Sequence, residues 1–468
     1  MLPSAAELVA RFLRTNGYTE TLKSFVKEAD LPPDTGAGSN SSVTIESILH
    51  EKKTFDLSLS FEKLGVEDGN REWAVPAPSK PTVLASLSSR SNILSVAAFR
   101  LQLQSNSSVK QYVAVTTADR RLHLLDPASP DFALVHSYTS FQDSPILDIL
   151  VEGSRYMMIA SMSGKLLLYD TVRDQILDER KEHSKYVVKI ASWSDGDSVL
   201  VASAGWDSKV FLYRICIGED APRIGEPLST LTLTSIPETL LFVRSPEDGS
   251  PILLVARRDS TFLYYYSVPQ VSAPAFRLLG KQNLAPHSNA WVAFTPADVR
   301  ICPTDPSVVA VATSSTPHMK MLILKLLLPP TQPAGTNDTA EPEAAESGAL
   351  TQAAQARAEL LVADREEAAI LVNVSTMAPQ TAYSTPRLTW RPDGTGLYVS
   401  SDDGIVRGIE AKSGKLVTSM EGHEPGSKLR CLWTGTLETY DNEASDVAGA
   451  REVLISGGFD QRLILWDC

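Results

Sequence analysis

The sequence predicts an all-β molecule, a seven-bladed β-propeller, preceded by a small α-helical hairpin. Three observations predict it. The C-terminal stretch Glu452–Asp467 reads as two short β-rich runs around Ser456-Gly-Gly-Phe-Asp460, and glycines with an Asp between such runs mark a tight hairpin. That hairpin recurs upstream until seven copies are counted, and a single hairpin needs neighbours to bury its faces. Residues 4–29, in contrast, carry helical periodicity.

At the N-terminus, Ser4 with Glu7 fits a capping box. Leu8, Val9, Phe12 and Leu13 fall on one helical face, and Asn16-Gly17 reads as a helix stop. Thr19 is expected to cap a second helix, whose Leu22, Phe25, Val26 and Ala29 share a face. Helices this short are marginal alone, and about 25 residues cannot close a core. The apolar stripe must be covered, most simply by a second copy of itself, through Leu8, Phe12, Leu13, Leu22 and Phe25. The run Gly17-Tyr18-x-x-Thr21-x-x-x-Phe25-x-x-Glu28, together with Leu8, Phe12 and Leu13, resembles the LisH motif. The resemblance implies homodimerisation and assembly of protein complexes. The alternative is a hairpin packed against its own propeller.

Leu31 to Ser42 is rich in Pro, Gly, Ser and Asn and reads as a flexible linker. A short helix is expected at 44–53, and Asp68 to Lys80 reads as a second linker. The expected organisation is a dimerisation hairpin over 1–30, a linker with a short helical segment over 31–79, and the propeller over 80–468.

Within the propeller the hairpin copies are Tyr112–Asp126, Met157–Asp170, Val199–Tyr213, Ile252–Tyr265, Val308–Ser314 with Lys320–Leu324, Leu397–Glu410, and the C-terminal copy. Asp126 and Asp170 stand 44 residues apart. Radial repetition of four-stranded units leaves only short protected edges. The chain stops on what would be the third strand of the last blade, so Pro81–Leu87 is expected to supply the fourth and remove the open edge. Two insertions interrupt the pattern. The first, 329–367, is acidic: Thr331–Ile370 holds eight acidic and two basic residues, so its first half reads as disordered. Leu350–Ala369 can turn helical. The second spans Glu438–Gly449.

Asp460, Trp466 and Asp467, with Gly422-His423 upstream, make the region from about residue 80 to the end resemble the WD-repeat β-propeller family. The resemblance implies a buried structural tetrad of His423, Ser456, Asp460 and Trp466 in the last repeat, and of His183, Ser203, Asp207 and Tyr213 in the third. Other repeats have lost the His, the Asp or both. In that family the strands of a blade run outward from the channel as a, b, c and d, with b–c turns and d–a loops on one face. Carried over, the b–c turns hold Arg120, Lys165, Trp206, Arg258 and Phe459, a basic and aromatic set on an acidic protein. Trp, Arg and Phe are enriched in interface anchors, and Arg pairs well with carboxylate and phosphate. Partner binding is expected there, to an acidic or phosphorylated segment. The alternative is that Trp206 and Phe459 cover the ends of their own blades.

Composition limits the function classes. The formal net charge is −13, and an acidic chain without basic clusters is a poor candidate for direct nucleic-acid or membrane binding. No apolar run reaches transmembrane length, and Glu7 inside the N-terminal apolar region argues against a signal peptide. Cys216, Cys302, Cys431 and Cys468 are far apart and show no metal-ligand spacing, which fits reduced thiols in the cytoplasm or nucleus. No nucleophile elbow, metalloprotease helix, phosphate loop or dinucleotide fingerprint is present. The expectation is a non-enzymatic scaffold or adaptor without metal or cofactor, dimeric, binding protein partners within a corepressor-like or ubiquitin-ligase-like complex. The alternatives are a dynein-regulating, lissencephaly-type protein and, from a different class, a propeller enzyme.

Overall fold

The structure is a computed structural model and describes residues 5–37, 44–46, 49, 73, 75–87, 89–139, 141–196, 198–217, 221–269, 274–286, 294–331, 352–440 and 447–468. The chain divides into two compact units, Met1–Gly69 with Ala285–Ala293, and Asn70–Leu284 with Phe294–Cys468.

In the first unit, α1 (Ala5–Thr15) and α2 (Thr19–Glu28) form the hairpin. Asn16 N donates to Phe12 O at 3.0 Å and Tyr18 N to Leu13 O at 2.9 Å across the turn, where Gly17 takes the left-handed conformation at φ +75° that favours glycine. Ala10 is fully buried, while Leu8, Phe12, Leu13, Leu22 and Phe25 are half-buried. Thr19 is not the cap expected of it: Tyr18 holds that position without a side-chain bond, and Leu22 N bonds to Tyr18 O at 2.9 Å. Ser4 and most of 44–53 lie outside the described residues. The stretch after the hairpin is no free linker up to residue 37. Arg14 Nη2 donates to Pro33 O at 3.1 Å and to Thr35 O at 3.2 Å. Gly36 lies so close to α1 that a Cβ there would sit 2.6 Å from Arg11 N. Proline and glycine here fold the chain back on α1 instead of loosening it.

The second unit is a ring of seven antiparallel four-stranded sheets. Ahead of the first blade stands β1 (Lys80–Leu84). Blade one is β2 (Ile93–Leu101), β3 (Lys110–Thr117), β4 (Leu122–Asp126) and β5 (Ala133–Tyr138). Blade two is β6 (Ile146–Glu152), β7 (Tyr156–Ser161), β8 (Leu166–Asp170) and β9 (Gln175–Arg180). Blade three is β10 (Val187–Asp195), β11 (Ser198–Gly205), β12 (Lys209–Cys216) and β13 (Ser229–Thr232). Blade four is β14 (Pro237–Arg244), β15 (Pro251–Arg257), β16 (Phe262–Ser267) and β17 (Arg277–Asn283). Blade five is β18 (Thr295–Ile301), β19 (Val308–Ser314), β20 (His318–Lys325) and, after α3 (Gln352–Ala369), β21 (Ile370–Pro379). Blade six is β22 (Leu388–Trp390), β23 (Gly396–Val399), β24 (Ile405–Glu410) and β25 (Leu416–Glu421). Blade seven is β26 (Leu429–Tyr440), β27 (Val447–Gly458) and β28 (Leu463–Asp467), completed by β1.

Ring closure follows the expected route. β1 pairs antiparallel with β28, Pro81 opposite Trp466 and Val83 opposite Ile464. Ser79 N adds a bond to Asp467 O at 2.9 Å. Proline, which has no N–H to give a ladder, is tolerated because β1 is the outer strand of its blade. The core lies in layers between neighbouring blades. Leu84, Val113, Leu125, Ile455 and Leu465 fill the seam between blades seven and one, and Met158, Leu168, Val201 and Tyr213 the seam between two and three.

The ends of the second insertion and the end of the second expected linker are instead structural. Residues 438–440 and 447–449 belong to the long hairpin of β26 and β27. Leu437 is buried, Glu438 pairs with Arg100 of blade one at 2.7 Å, and Glu438 N donates to Gln111 Oε1 at 2.9 Å. The segment before β1 is pinned from Trp73 onward, whose ring fills the space over Gly396 and Gly408. A Cβ would stand 2.2 Å from that ring at Gly396 and 2.5 Å at Gly408. The C-terminal half of the first insertion is the helix α3, fixed where Glu366 accepts from Asn283 N at 2.7 Å; residues 332–351 lie outside the described residues.

Candidate functional site

The first strands of the blades, β2, β6, β10, β14, β18, β22 and β26, pack against one another in cyclic order and so form the channel wall. Six of them slip register at the same place: between Ile93 and Ser95, Ile146 and Asp148, Val187 and Lys189, Pro237 and Thr239, Pro296 and Asp298, and Leu429 and Cys431. A bulge adds one residue to a strand and re-aims its side chains. The residues at and beyond the bulges are polar or charged out of proportion to a strand core. Lys189 Nζ pairs with Asp148 Oδ2 at 3.0 Å, and Ile190 N donates to the same oxygen at 2.9 Å. Asp298 accepts from Leu388 N at 3.2 Å and pairs with Arg300 at 3.2 Å and Arg387 at 3.8 Å. Burial pulls the Lys189 amine below the ordinary lysine range, and Asp148 opposes it only in part. Lys189 also feels the charges of Asp298, Arg300 and Arg387, which stand on blades five and six. Their strands line the same channel wall. These residues were not singled out from the sequence. The signal was a lone charge inside an apolar run, as in Ile146-Leu-Asp-Ile and Val187-Val-Lys-Ile.

The b–c turns close on the same face as the d–a loops, and a repeated backbone bond fixes them there. Ala118 N donates to Asn92 O, Met162 N to Pro145 O, Trp206 N to Tyr186 O, Arg258 N to Ile236 O and Phe459 N to Lys428 O, at 2.8 to 3.1 Å. Four of these turns carry a non-glycine left-handed residue, Arg120, Ser208, Asp259 and Gln461.

On this face the sequence-selected residues differ in what they offer. Arg120 is exposed. Lys165 is engaged by Glu179 at 2.9 Å and Asp143 at 3.4 Å. Arg258 is paired with Glu238 at 2.5 Å and lies 5.8 Å from the centre of the Trp206 ring. Trp206, itself 37% exposed, lies beside Tyr186 with ring centres 5.1 Å apart and the planes tilted by 31°. Phe459 is exposed, with the Arg430 guanidinium 5.9 Å from its ring centre.

The two predicted tetrads sit inside their blades. In blade seven, Trp466 Nε1 donates to Ser456 Oγ at 2.8 Å, His423 Nε2 lies 2.7 Å from that oxygen, and His423 Nδ1 lies 2.8 Å from Asp460 Oδ2. One proton arrangement satisfies all three contacts: the serine donates to Nε2 and the ring donates from Nδ1 to the carboxylate. In blade three, His183 bridges Ser203 at 2.9 Å and Asp207 at 3.0 Å. The Tyr213 hydroxyl is buried and makes no well-formed hydrogen bond among the described residues, although Ser203 acts on it. The Ser–His–Asp order is that of a hydrolase, but Ser456 and Ser203 are fully buried and no substrate reaches them. Burial of His183 pulls its pKa below the ordinary value despite Asp207. For Asp207 burial acts upward, and the bonds from His183 and Ser184 N outweigh it and hold the carboxyl low.

Blades without the tetrad stabilise the same turn by shorter means that the sequence pattern did not reveal. In blade one Asp119 takes bonds from Thr117 and, at 2.8 Å, from Ser89. In blade two Ser161 donates to Gln142 at 3.0 Å. In blade six Arg407 holds Asp403 at 2.6 Å. Among the described residues no group of three or more His, Cys, Asp or Glu is placed to hold a metal ion, and no helix is long and apolar enough to cross a membrane.

Residues 90–432 match the family model described as UCP007778, β-propeller domain, and residues 6–32 match the model described as UCP007778, LisH domain. A comparison with the curated proteins finds no match.

Proposed function

The chain belongs to the UCP007778 family, which joins a LisH domain to a β-propeller, and from that premise we propose that it is a non-enzymatic scaffold. It dimerises through α1 and α2 and binds a protein partner on the b–c turn face of a degenerate WD-repeat propeller. A LisH domain with a propeller is typically a non-catalytic interaction architecture. The WD-repeat assignment draws support from the bond network around His423 and its counterpart around His183.

The observation that carries the partner site is the cluster of Tyr186, Trp206 and Arg258, an exposed, tilted aromatic pair with a cation beside it. Such anchors dominate interface energetics. The half-buried stripe of Leu8, Phe12, Leu13, Leu22 and Phe25 supports self-association. The complex is of a corepressor-like or ubiquitin-ligase-like kind, in the cytoplasm or nucleus, where the four unpaired cysteines stay reduced. The dynein-regulating alternative ranks lower because the sequence lacks sustained heptads.

Affinity purification with mass spectrometry of wild type, Trp206→Ala and Arg120→Glu tests the partner site. Trp206→Ala is expected to weaken capture by about 2 kcal/mol or more. Arg258 is a poor choice for charge reversal because it would confront Glu238 and damage blade four. A partner set unchanged in both variants removes this face as the recognition surface. Light scattering is expected to show a dimer for wild type and a monomer for Phe12→Asp; a wild-type monomer at micromolar concentration defeats the dimer.

A further inference from the structure

The chain is acidic overall, at −13, yet the end of the channel nearest the b–c turns is biased the other way. Four carboxylates of this end already hold a basic partner. Asp148 holds Lys189 at 3.0 Å, Asp298 holds Arg300 at 3.2 Å, Glu238 holds Arg258 at 2.5 Å and Asp402 holds Lys428 at 3.1 Å. Two guanidiniums are left over. Arg387 reaches only the shared Asp298, at 3.8 Å, and Arg430 makes no ion pair among the described residues.

The placement of both is built in. Arg430 is the extra residue of the β26 bulge, between Leu429 and Cys431, and its guanidinium lies against the Phe459 ring at 5.9 Å. Arg387 immediately precedes β22, and its backbone is clasped by Ser400, which donates from N to Arg387 O and accepts from Arg387 N, each at 2.9 Å. The strands β22 and β26 are packed neighbours; Arg387 and Arg430 feel each other's charge, and Asp402 and then Glu238 act on Arg430 without forming an ion pair with it among the described residues. The neighbouring Cys431 supplies no counter-charge, since burial pushes its thiol up to about 12. Burial, and then the charge of Arg387, pull the Arg430 guanidinium down to about 10. A bound anion relieves that repulsion.

We propose that Arg430 and Arg387 form an oxyanion site at the channel mouth between blades six and seven, which takes a carboxylate or phosphate group presented by the protein partner. A planar guanidinium matches an oxyanion through two parallel N–H bonds. A channel with low-dielectric walls focuses the positive potential on that spot. Phe459, which contacts Arg430, is itself exposed on the b–c turn face, so the site is continuous with the surface proposed for the partner. Only the source of the oxyanion rests on that earlier reading.

The test titrates the full-length protein by calorimetry at low salt with two probes, inorganic pyrophosphate and a short Glu/Asp-rich peptide. Both are expected to bind wild type and to weaken as salt rises. Arg430→Gln and Arg387→Gln are each expected to lose about tenfold or more in affinity, while Lys110→Gln, exposed at the end of β3 away from its b–c turn, retains pyrophosphate binding. Thermal melts confirm that the variants are folded. Should a Gln variant fail to fold, Arg430→Lys keeps the charge without the fork and is expected to lose less than the Gln change. Binding of neither probe to wild type, or binding insensitive to both arginine changes, overturns the site. Binding of pyrophosphate alone upholds the site and overturns the partner as its source. If Trp206→Ala leaves partner capture intact while pyrophosphate still binds through Arg430, the partner face has failed and the oxyanion site stands.

Discussion

Arg391 and Glu452 form a two-pronged ion pair between blades six and seven, with Nε 2.9 Å from Oε1 and Nη2 2.8 Å from Oε2. The same guanidinium donates to Val75 O at 3.3 Å and Pro76 O at 2.9 Å, and it lies 5.0 Å from the centre of the Trp73 ring. One almost fully buried arginine therefore ties together the last two blades and the segment that leads into β1. Removing one partner of a buried pair leaves the other charge uncompensated. Arg391→Ala is expected to lower stability by about 3 kcal/mol, read from the urea midpoint. The Arg391→Ala/Glu452→Ala double variant is expected to fall short of the sum of the single losses, a coupling above about 0.5 kcal/mol. Additive losses would show that the pair contributes nothing as a pair.

The closing strand makes a second prediction. Without β1, β28 presents a row of unpaired backbone groups, which invites pairing with another chain. A chain beginning at residue 70 keeps Trp73, β1 and the Arg391 contacts and is expected to melt as a folded propeller. A chain beginning at residue 85 is expected to aggregate or melt earlier. Equal melting of the two would mean that β1 is dispensable.

The tetrads predict a contrast between equivalent positions. Asp460→Ala and Asp207→Ala each strand a buried histidine nitrogen, at about 1–3 kcal/mol. Trp466→Phe loses the bond to Ser456 and is expected to cost a comparable amount. Tyr213→Phe is expected to cost clearly less than Trp466→Phe, because the buried Tyr213 hydroxyl approaches Ser203 without a well-formed hydrogen bond among the described residues. Thermal melts of the four variants decide it; a large loss for Tyr213→Phe would mean that its hydroxyl is engaged after all.

Stability should also fall with acid in two stages. The folded pKa of His183 lies below its ordinary value because of burial. The unfolded chain therefore takes up the proton first, and stability is lost as pH drops below about 6.5. The carboxyls of Asp207 and Asp460 are held low in the fold, so their contribution is present above about pH 4 and is lost as pH falls through their folded values. Melts of wild type and His183→Gln between pH 7.5 and 5 separate the stages. The variant should show the shallower slope over that range, and parallel slopes would discount His183.

Much of the fold was legible because its signals are local. The hairpin of β27 and β28, the turn at Asn16-Gly17 and the helical tendency of 352–369 each depend on a few adjacent residues. Pro81 opposite Trp466 is a long-range pairing, yet it could be inferred because seven repeats with one strand missing leave a single edge to fill. Composition alone imitates freedom at two places. Residues 32–37 look like a linker but clasp α1 through Arg14, and Glu438 looks like a loop acid but binds Arg100.

By itself the sequence determined the number of blades, the strand that closes the ring, the helical hairpin and the polar groups that hold the best-preserved turns. These follow from a period of two, from turn chemistry and from repetition, all of which act within one blade. Only the tertiary structure decided which charges are inside. Lys165 and Arg258 turned out to be committed to their own carboxylates, whereas Arg430, at the β26 bulge, has no ion pair among the described residues. The physical reason is that a bulge reverses the facing of every side chain beyond it, and that charge partners such as Arg391 and Glu452 meet across blades. The local pattern shows at most a lone charge inside an apolar run, and never which partner it meets.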